Sequence, residues 1–237
     1  MNNLQNLEPK QVWGIFHEIT QIPRPSKKEQ KIADYVKKFA ADHKLETVVD
    51  KTGNVIIKKS ATKGMENRKG VILQAHLDMV PQKNSDKKHD FEKDPIEALV
   101  DGEWVRANGT TLGADNGIGV AAAMAVLASK DIPHGPIEVL FTIDEETGMT
   151  GAFGLKKGLL RGDILINLDS EDEGVLFVGC AGGCDVKYTF RASRNPLPSG
   201  FVACEVVLTG LKGGHSGLEI NKNRMNAIRA ICRMLEA

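Results

Sequence analysis

His76 and Asp78 sit two residues apart at the end of the apolar run Val71-Ile72-Leu73. On a strand, residues i and i+2 share a face, so the two side chains would stand side by side at its tip. An imidazole beside a carboxylate is what a metal site uses, the carboxylate holding a neighbour or the other ring nitrogen. By itself such a pair is common on protein surfaces. Three further stretches raise its meaning. Asp115 and Asn116 stand where an Ala-rich helix, Ile118 to Ser129, begins. Asp115 reads equally as a simple helix cap or as a carboxylate held rigid and ionised by backbone N–H groups and the helix dipole. Asp144-Glu145-Glu146 ends the apolar run Ile137 to Ile143, and Asp169 ends Ile164 to Leu168. Adjacent acids at a strand end point to different places, so one can hold a metal while its neighbour reaches a water. A solvated acidic turn accounts for the same three residues.

The elements that would position these groups can be read from periodicity. Val12, Ile15, Phe16 and Ile19 form a helical stripe over Pro9 to Ile22. Ser26 and Glu29 have capping-box spacing ahead of a second helix ending near His43. Leu45 to Val49 and Val55 to Lys59 flank a turn and read as paired strands, and Asp101-Gly102 centres a hairpin between Glu97–Val100 and Glu103–Arg106. Strands alternating with helices predict an α/β fold with a mixed, largely parallel sheet and flanking helices. In such sheets ligands bind beyond the strand C-terminal ends, so the tips should converge. His76, Asp78, Asp115, Glu145, Glu146 and Asp169 would gather five carboxylates, with no Lys or Arg inside their motifs. Repulsion of that size raises carboxyl pKa values or calls for cations. A divalent metal site, with two ions, answers it. Imidazole and carboxylate without thiolate point to zinc first, with manganese or cobalt as substitutes.

Composition narrows the function classes. Of 237 residues 41% are hydrophobic, enough for a full core, and 31 Lys plus Arg balance 31 Asp plus Glu. That balance gives no nucleic-acid footprint, and no interior stretch is apolar enough for a membrane span. The N-terminus lacks a secretory signal pattern, which with Cys180, Cys184, Cys204 and Cys232 in apolar or Gly-rich surroundings predicts a cytoplasmic protein with reduced core cysteines. After Gly174 the pattern changes. Val175–Val178, Asp185–Arg191 and Phe201–Leu208 read as strands and Asn223–Ala237 as a helix, with a domain boundary near Gly182. Two strands and one helix are too few to close a core, so this second domain is expected to be cut short.

Taken together, QAHLDMVPQ (74–82), HDFEKDPIEALVDGEWVRANGTTLGADNGIG (89–119), DEETGMTGAFGL (144–155), INLDSEDEG (166–174) and GGHSG (213–217) resemble the di-zinc metallopeptidases of the aminoacylase and carboxypeptidase superfamily, most closely its dipeptidases. The resemblance implies that His76, Asp115 and Asp169 hold one zinc and that Asp115 bridges to a second, held also by Glu146. It implies that Asp78 orients His76, that Glu145 is the general base, and that His215 of a lid domain stabilises the oxyanion, often in the partner subunit of a homodimer. Residues 1–182 would be the N-terminal part of the catalytic domain and 183–237 the start of an inserted α+β lid. The substrate would be a small peptide. Members of this kind are about twice as long and carry a last histidine ligand near the C-terminus. His17, His43, His89 and His134 do not sit in that setting. An N-acyl amino acid deacylase or carboxypeptidase on the same metal centre, or a catalytically silent fragment, are the alternatives.

Overall fold

The computed structural model describes residues 4–180, 182–184, 186–214, 219 and 221–236. The chain divides into two compact units, Met1–Gly174 and Val175–Ala237. In the first, a five-stranded sheet is built from β1 (Glu46–Val49), β2 (Val55–Lys59), β3 (Val71–His76), β6 (Ile137–Thr142) and β7 (Ile164–Asn167), in the order β1-β2-β6-β3-β7. β6, β3 and β7 run parallel, while β1–β2 and β2–β6 are antiparallel. The sheet is therefore mixed, as expected. β4 (Ala98–Asp101) and β5 (Trp104–Ala107) form the separate hairpin predicted at Asp101-Gly102.

Side-chain alternation sorts the sheet's two faces. Val55, Ile57, Ala75, Leu77, Val139 and Phe141 join the main core with helices α1 (Lys10–Thr20), α2 (Gln30–Asp42) and α3 (Ala114–Ala128). Ile56, Ile72 and Leu140 face the other way, onto Val48, Leu155, Leu159 and Leu160. α1 contributes Ile15, Phe16 and Ile19, as its stripe dictates, and packs on α3. The small side chains of α3, among them Ala121 and Ala123, let it lie close to both α1 and β3. Two short helices, α4 (Glu145–Gly148) and α5 (Thr150–Gly154), follow β6. No helix among the described residues is long and apolar enough to cross a membrane.

Two local expectations fail because tertiary partners outbid local ones. Ser26 and Glu29 do not form a capping box: α2 has no side-chain cap. Ser26 Oγ donates instead to Asp78 Oδ2 at 2.8 Å, and Glu29 Oε1 accepts the N–H groups of Lys27 and Asp144 at 2.8 and 3.1 Å. Nor does the Asp115 carboxylate cap a helix. Backbone at Asp115 and Asn116 is non-helical (ψ 109° and 31°), so the regular part of α3 begins after them, where the sequence puts it, but the carboxylate meets His76 rather than a helix N–H.

The second unit has one regular element among its described residues, α6 (Ala227–Glu236), with none of them buried. The described residues of 175–178, 185–191 and 201–208, expected as strands, are unpaired. Phe190, Val202 and Val207 are exposed, and with no layer opposite them alternation alone does not hold a sheet together. The four cysteines, expected in a core, all lie here and are exposed for the same reason.

Candidate metal centre

The parallel strands β6, β3 and β7 end side by side, and their C-terminal tips carry the acids and the histidine. A polar ladder crosses the sheet just below. Gln74 Nε2 donates to Thr142 Oγ1 on β6 at 3.2 Å, and Gln74 Oε1 accepts from Asn167 Nδ2 on β7. Backbone bonds from Leu77 N to Thr142 O and from Leu168 N to Gln74 O, both 2.8 Å, carry the pairing past the strand ends. The tips are thus held in register where the chemistry sits.

His76 is 1% exposed. Its Nδ1 faces Asp78, 3.2 Å from the backbone oxygen and 3.3 Å from Oδ1, and its Nε2 faces Asp115 Oδ1 at 2.9 Å and Asp169 Oδ1 at 3.5 Å. Asp78, fully buried, has both carboxylate oxygens engaged: Glu145 N donates to Oδ1 at 3.0 Å, and Glu146 N and Ser26 Oγ donate to Oδ2 at 3.2 and 2.8 Å. It therefore does two things at once. It fixes the ring of His76 through Nδ1, and it anchors the first turn of α4, which presents Glu145 and Glu146. That turn is entered through Asp144, whose left-handed backbone (φ 51°) swings the chain from strand to helix and whose carboxylate accepts from the hydroxyls of Thr147 and Thr150.

His76, Asp115 and Glu146 offer ligand atoms that all lie within 4.8 Å of one another. Asp169 is held beside them by Asn116, whose Nδ2 donates to Asp169 Oδ1 and to Leu168 O. The structure thus brings His76, Asp78, Asp115, Glu145, Glu146 and Asp169 to one edge of the sheet. His215 lies outside the described residues.

Charge at the site follows from this packing. Burial opposes an imidazolium at His76, but Asp115, Asp169 and Asp78 outweigh it and lift the ring to about 12. Burial would raise Asp78, yet bonds from His76, the Glu145 N–H and Ser26 hold it at about 2. Asp115 is lowered by its bond to His76. Glu146 is pushed up to about 7, first by burial and then by the Asp115 charge, and Glu145 is raised by burial, with Asp169, Asp78 and Asp115 adding to it against His76. His76, Asp115 and Glu146 place their donor atoms close enough together that one cation could be held among them. Nitrogen and oxygen donors without thiolate fit a borderline or hard divalent ion.

Sequence reasoning misses Arg24, and with it the fact that a cation serves the cluster from outside its motifs. Arg24 is 2% exposed and its charge acts on Asp78, Asp115 and Glu146. The available signal is its setting between Pro23 and Pro25, an awkward place for a solvated side chain. The sequence places Asn116 only in a cap; its side chain instead ties α3 to the β7 tip.

Residues 72–221, covering the β3 tip through the region of His215, match the model of peptidase family M20/M25/M40. The chain is 53% identical over 235 residues to the cytosol non-specific dipeptidase of Escherichia coli, covering 99% of this chain and 48% of that protein. The crystal structure of an aminoacylhistidine dipeptidase from Vibrio alginolyticus superposes with a TM-score of 0.76 at 53% identity, covering 99% of this chain and 48% of that one. An aminopeptidase PepT structure from Bacillus cereus aligns at a TM-score of 0.59 and 27% identity over 70% of this chain and 44% of its own. The chain spans about half the length of these relatives. The chain belongs to peptidase family M20/M25/M40.

Proposed function

We propose that this chain carries the metal-binding half of a dipeptidase that hydrolyses the amide bond of small peptides in the cytoplasm. The observation that carries the proposal is Glu145 standing next to the His76–Asp115–Glu146 group, anchored with Glu146 on the same carboxylate. The relatives named as dipeptidases at 53% identity support the substrate class. His76, Asp115 and Asp169 would hold one zinc, and Asp115 and Glu146 a second, with manganese or cobalt as substitutes. When bound, such a metal brings the pKa of a water down to about 7 and polarises a carbonyl.

The remaining work falls to the chain's own side chains. Asp78 keeps His76 in the tautomer whose Nε2 is free to ligate. Glu145, raised by burial and by its acidic neighbours, accepts the proton of the attacking water and delivers it to the leaving amine; a carboxyl poised nearer neutrality serves both steps. Residues 183–237 begin a lid through which two copies pair, and His215 from that lid steadies the developing oxyanion.

The test is zinc stoichiometry on the chelator-stripped, reloaded chain, with hydrolysis of dipeptides and of N-acetyl amino acids assayed on the same sample and on a version extended to the relatives' length. Dipeptide turnover that falls about 100-fold or more in Glu145→Gln, with zinc content unchanged, is the expected result. Turnover unchanged by Glu145→Gln overturns the mechanism, and preference for N-acetyl amino acids overturns the substrate class.

A further inference from the structure

The site's carboxylates come from four separate segments, and one side chain from outside all of them reaches two of these segments. Arg24 Nη1 donates to Leu77 O at 2.9 Å and to Asp78 O at 2.8 Å, and Nη2 donates to Gly113 O. Its backbone oxygen accepts from Met79 N at 3.2 Å, and Pro25 bridges to Met79 alongside. The guanidinium therefore spans from the β3 tip, which carries His76 and Asp78, to the turn that carries Asp115. No carboxylate lies within ion-pair distance of it among the described residues; its fork is spent on backbone carbonyls.

The seat is shaped for this group. A Cβ at Gly113 or at Gly117 would come within 2.6 Å of Arg24 Nη2, and one at Gly117 also within 3.0 Å of Phe16. Glycine thus flanks Asp115 two residues to either side, where any larger residue would push the guanidinium out. Lysine would not replace it, since one ammonium cannot offer the planar fork that bridges carbonyls of two segments.

We propose that Arg24 is a positioning residue of the metal centre, a clamp that sets the separation of His76 from Asp115. The metal part of this statement rests on the function proposed above; the clamp itself rests on the chain alone. It makes no contact with the ligand atoms and acts through the backbone that carries them. Outer partners that orient ligands typically govern 10- to 100-fold, roughly, in metal affinity.

The experiment compares the full chain with Arg24→Lys, Gly117→Ala and the two combined. It reads zinc affinity by competition with a chromophoric chelator and the ¹⁵N-labelled ring signals of His76 without metal. Each single variant is expected to weaken zinc binding about 10-fold or more and to shift the His76 ring signals. The pair is expected to cost less than the product of the singles, because both disturb one seat. A side chain that only stabilised the fold would lower the thermal midpoint and leave the ring signals where they were. Folded variants with unchanged ring signals and unchanged zinc affinity overturn the clamp. Should Arg24→Lys not fold, Gly117→Ala keeps the guanidinium and puts the same question to the clamp. If the unaltered chain takes up no zinc, the metal reading fails, and the ring signals alone decide: shifted, the clamp stands; unshifted, it falls.

Discussion

Two clusters of titratable groups lie at the same strand tips, and they are built oppositely. In one, Glu29, Asp78 and Asp144 have carboxylate oxygens within 4.8 Å of one another and are all buried. Five of their six oxygens accept from donors: backbone N–H groups of Lys27, Asp144, Glu145 and Glu146, and hydroxyls of Ser26, Thr147 and Thr150. In the other, His76, Asp115 and Glu146 are just as close, but among the described residues the Asp115 carboxylate meets the ring of His76 and the side chain of Asp169, and no donor hydrogen-bonds the Glu146 carboxylate. Proximity of acids therefore does not distinguish a metal site from a folded turn. Whether the lone pairs are already spoken for does. The saturated cluster is the frame, and Asp78, which belongs to it while holding His76, is where the frame meets the open site.

The sharpest break in this comparison is at the open cluster. Asp115→Ala or His76→Ala removes a ligand atom and is expected to lower zinc affinity by more than about 100-fold, beyond what loss of an outer partner does. The Asp115 variant should stay folded, because that side chain is half exposed. Chelator competition and thermal melting on one sample check both halves. Asp78→Asn comes next, since it touches both clusters. Zinc affinity should fall about 10- to 100-fold. Stability should also fall by about 1–3 kcal/mol, because an amide cannot accept every donor now aimed at the carboxylate. A change inside the frame alone should separate the two effects. Thr147→Val leaves one Asp144 oxygen without its donor and should cost about 1 kcal/mol in denaturant melts. Zinc affinity should then fall far less than in Asp78→Asn, because the Thr147 hydroxyl bonds Asp144 and no member of the His76–Asp115–Glu146 group. A large loss of zinc binding in Thr147→Val would mean that the frame and the site are one unit.

How much of this is legible in the sequence follows from which interactions are local. The strands β3, β6 and β7 announce themselves as β-branched runs, and polar tips on parallel strands must meet at one edge, so the six site residues can be gathered from spacing alone. The hairpin at Asp101-Gly102 is legible from its turn chemistry. What fails is the inference that a local pattern will be used locally. Ser26 and Glu29 have capping-box spacing, but a buried Asp78 and the Asp144 N–H need partners more than an exposed helix end does. Arg24 cannot be placed because its carbonyl partners lie 53 to 89 residues away in the chain. In the second unit the apolar alternation is present, yet alternation specifies a strand only where another layer buries that side.

The subtlest difference between the clusters is the sign of their pH dependence. Asp78, with its oxygens filled, is held near 2, below the value of about 3.9 for an unfolded aspartate. Its contribution to stability is present above about pH 3.9 and is lost as pH falls toward 2. Glu146, open and desolvated, is pushed up to about 7 from an unfolded value near 4.3, so the folded chain binds this proton more tightly than the unfolded one. Stability should therefore fall as pH rises from about 4.3 to about 7. Melts in chelator from about pH 2 to about pH 7 should show both limbs. Glu146→Gln should flatten the upper limb and Asp78→Asn the lower one. Zinc should reverse the upper limb, because a ligand that needs the ionised carboxylate binds the folded state more tightly as that proton leaves. His76 must also shed its proton to bind zinc, so the test is Glu146→Gln: if zinc's gain in stability climbs with pH as steeply in that variant as in the unaltered chain, Glu146 is not among its ligands, and the open cluster reduces to His76 and the aspartates.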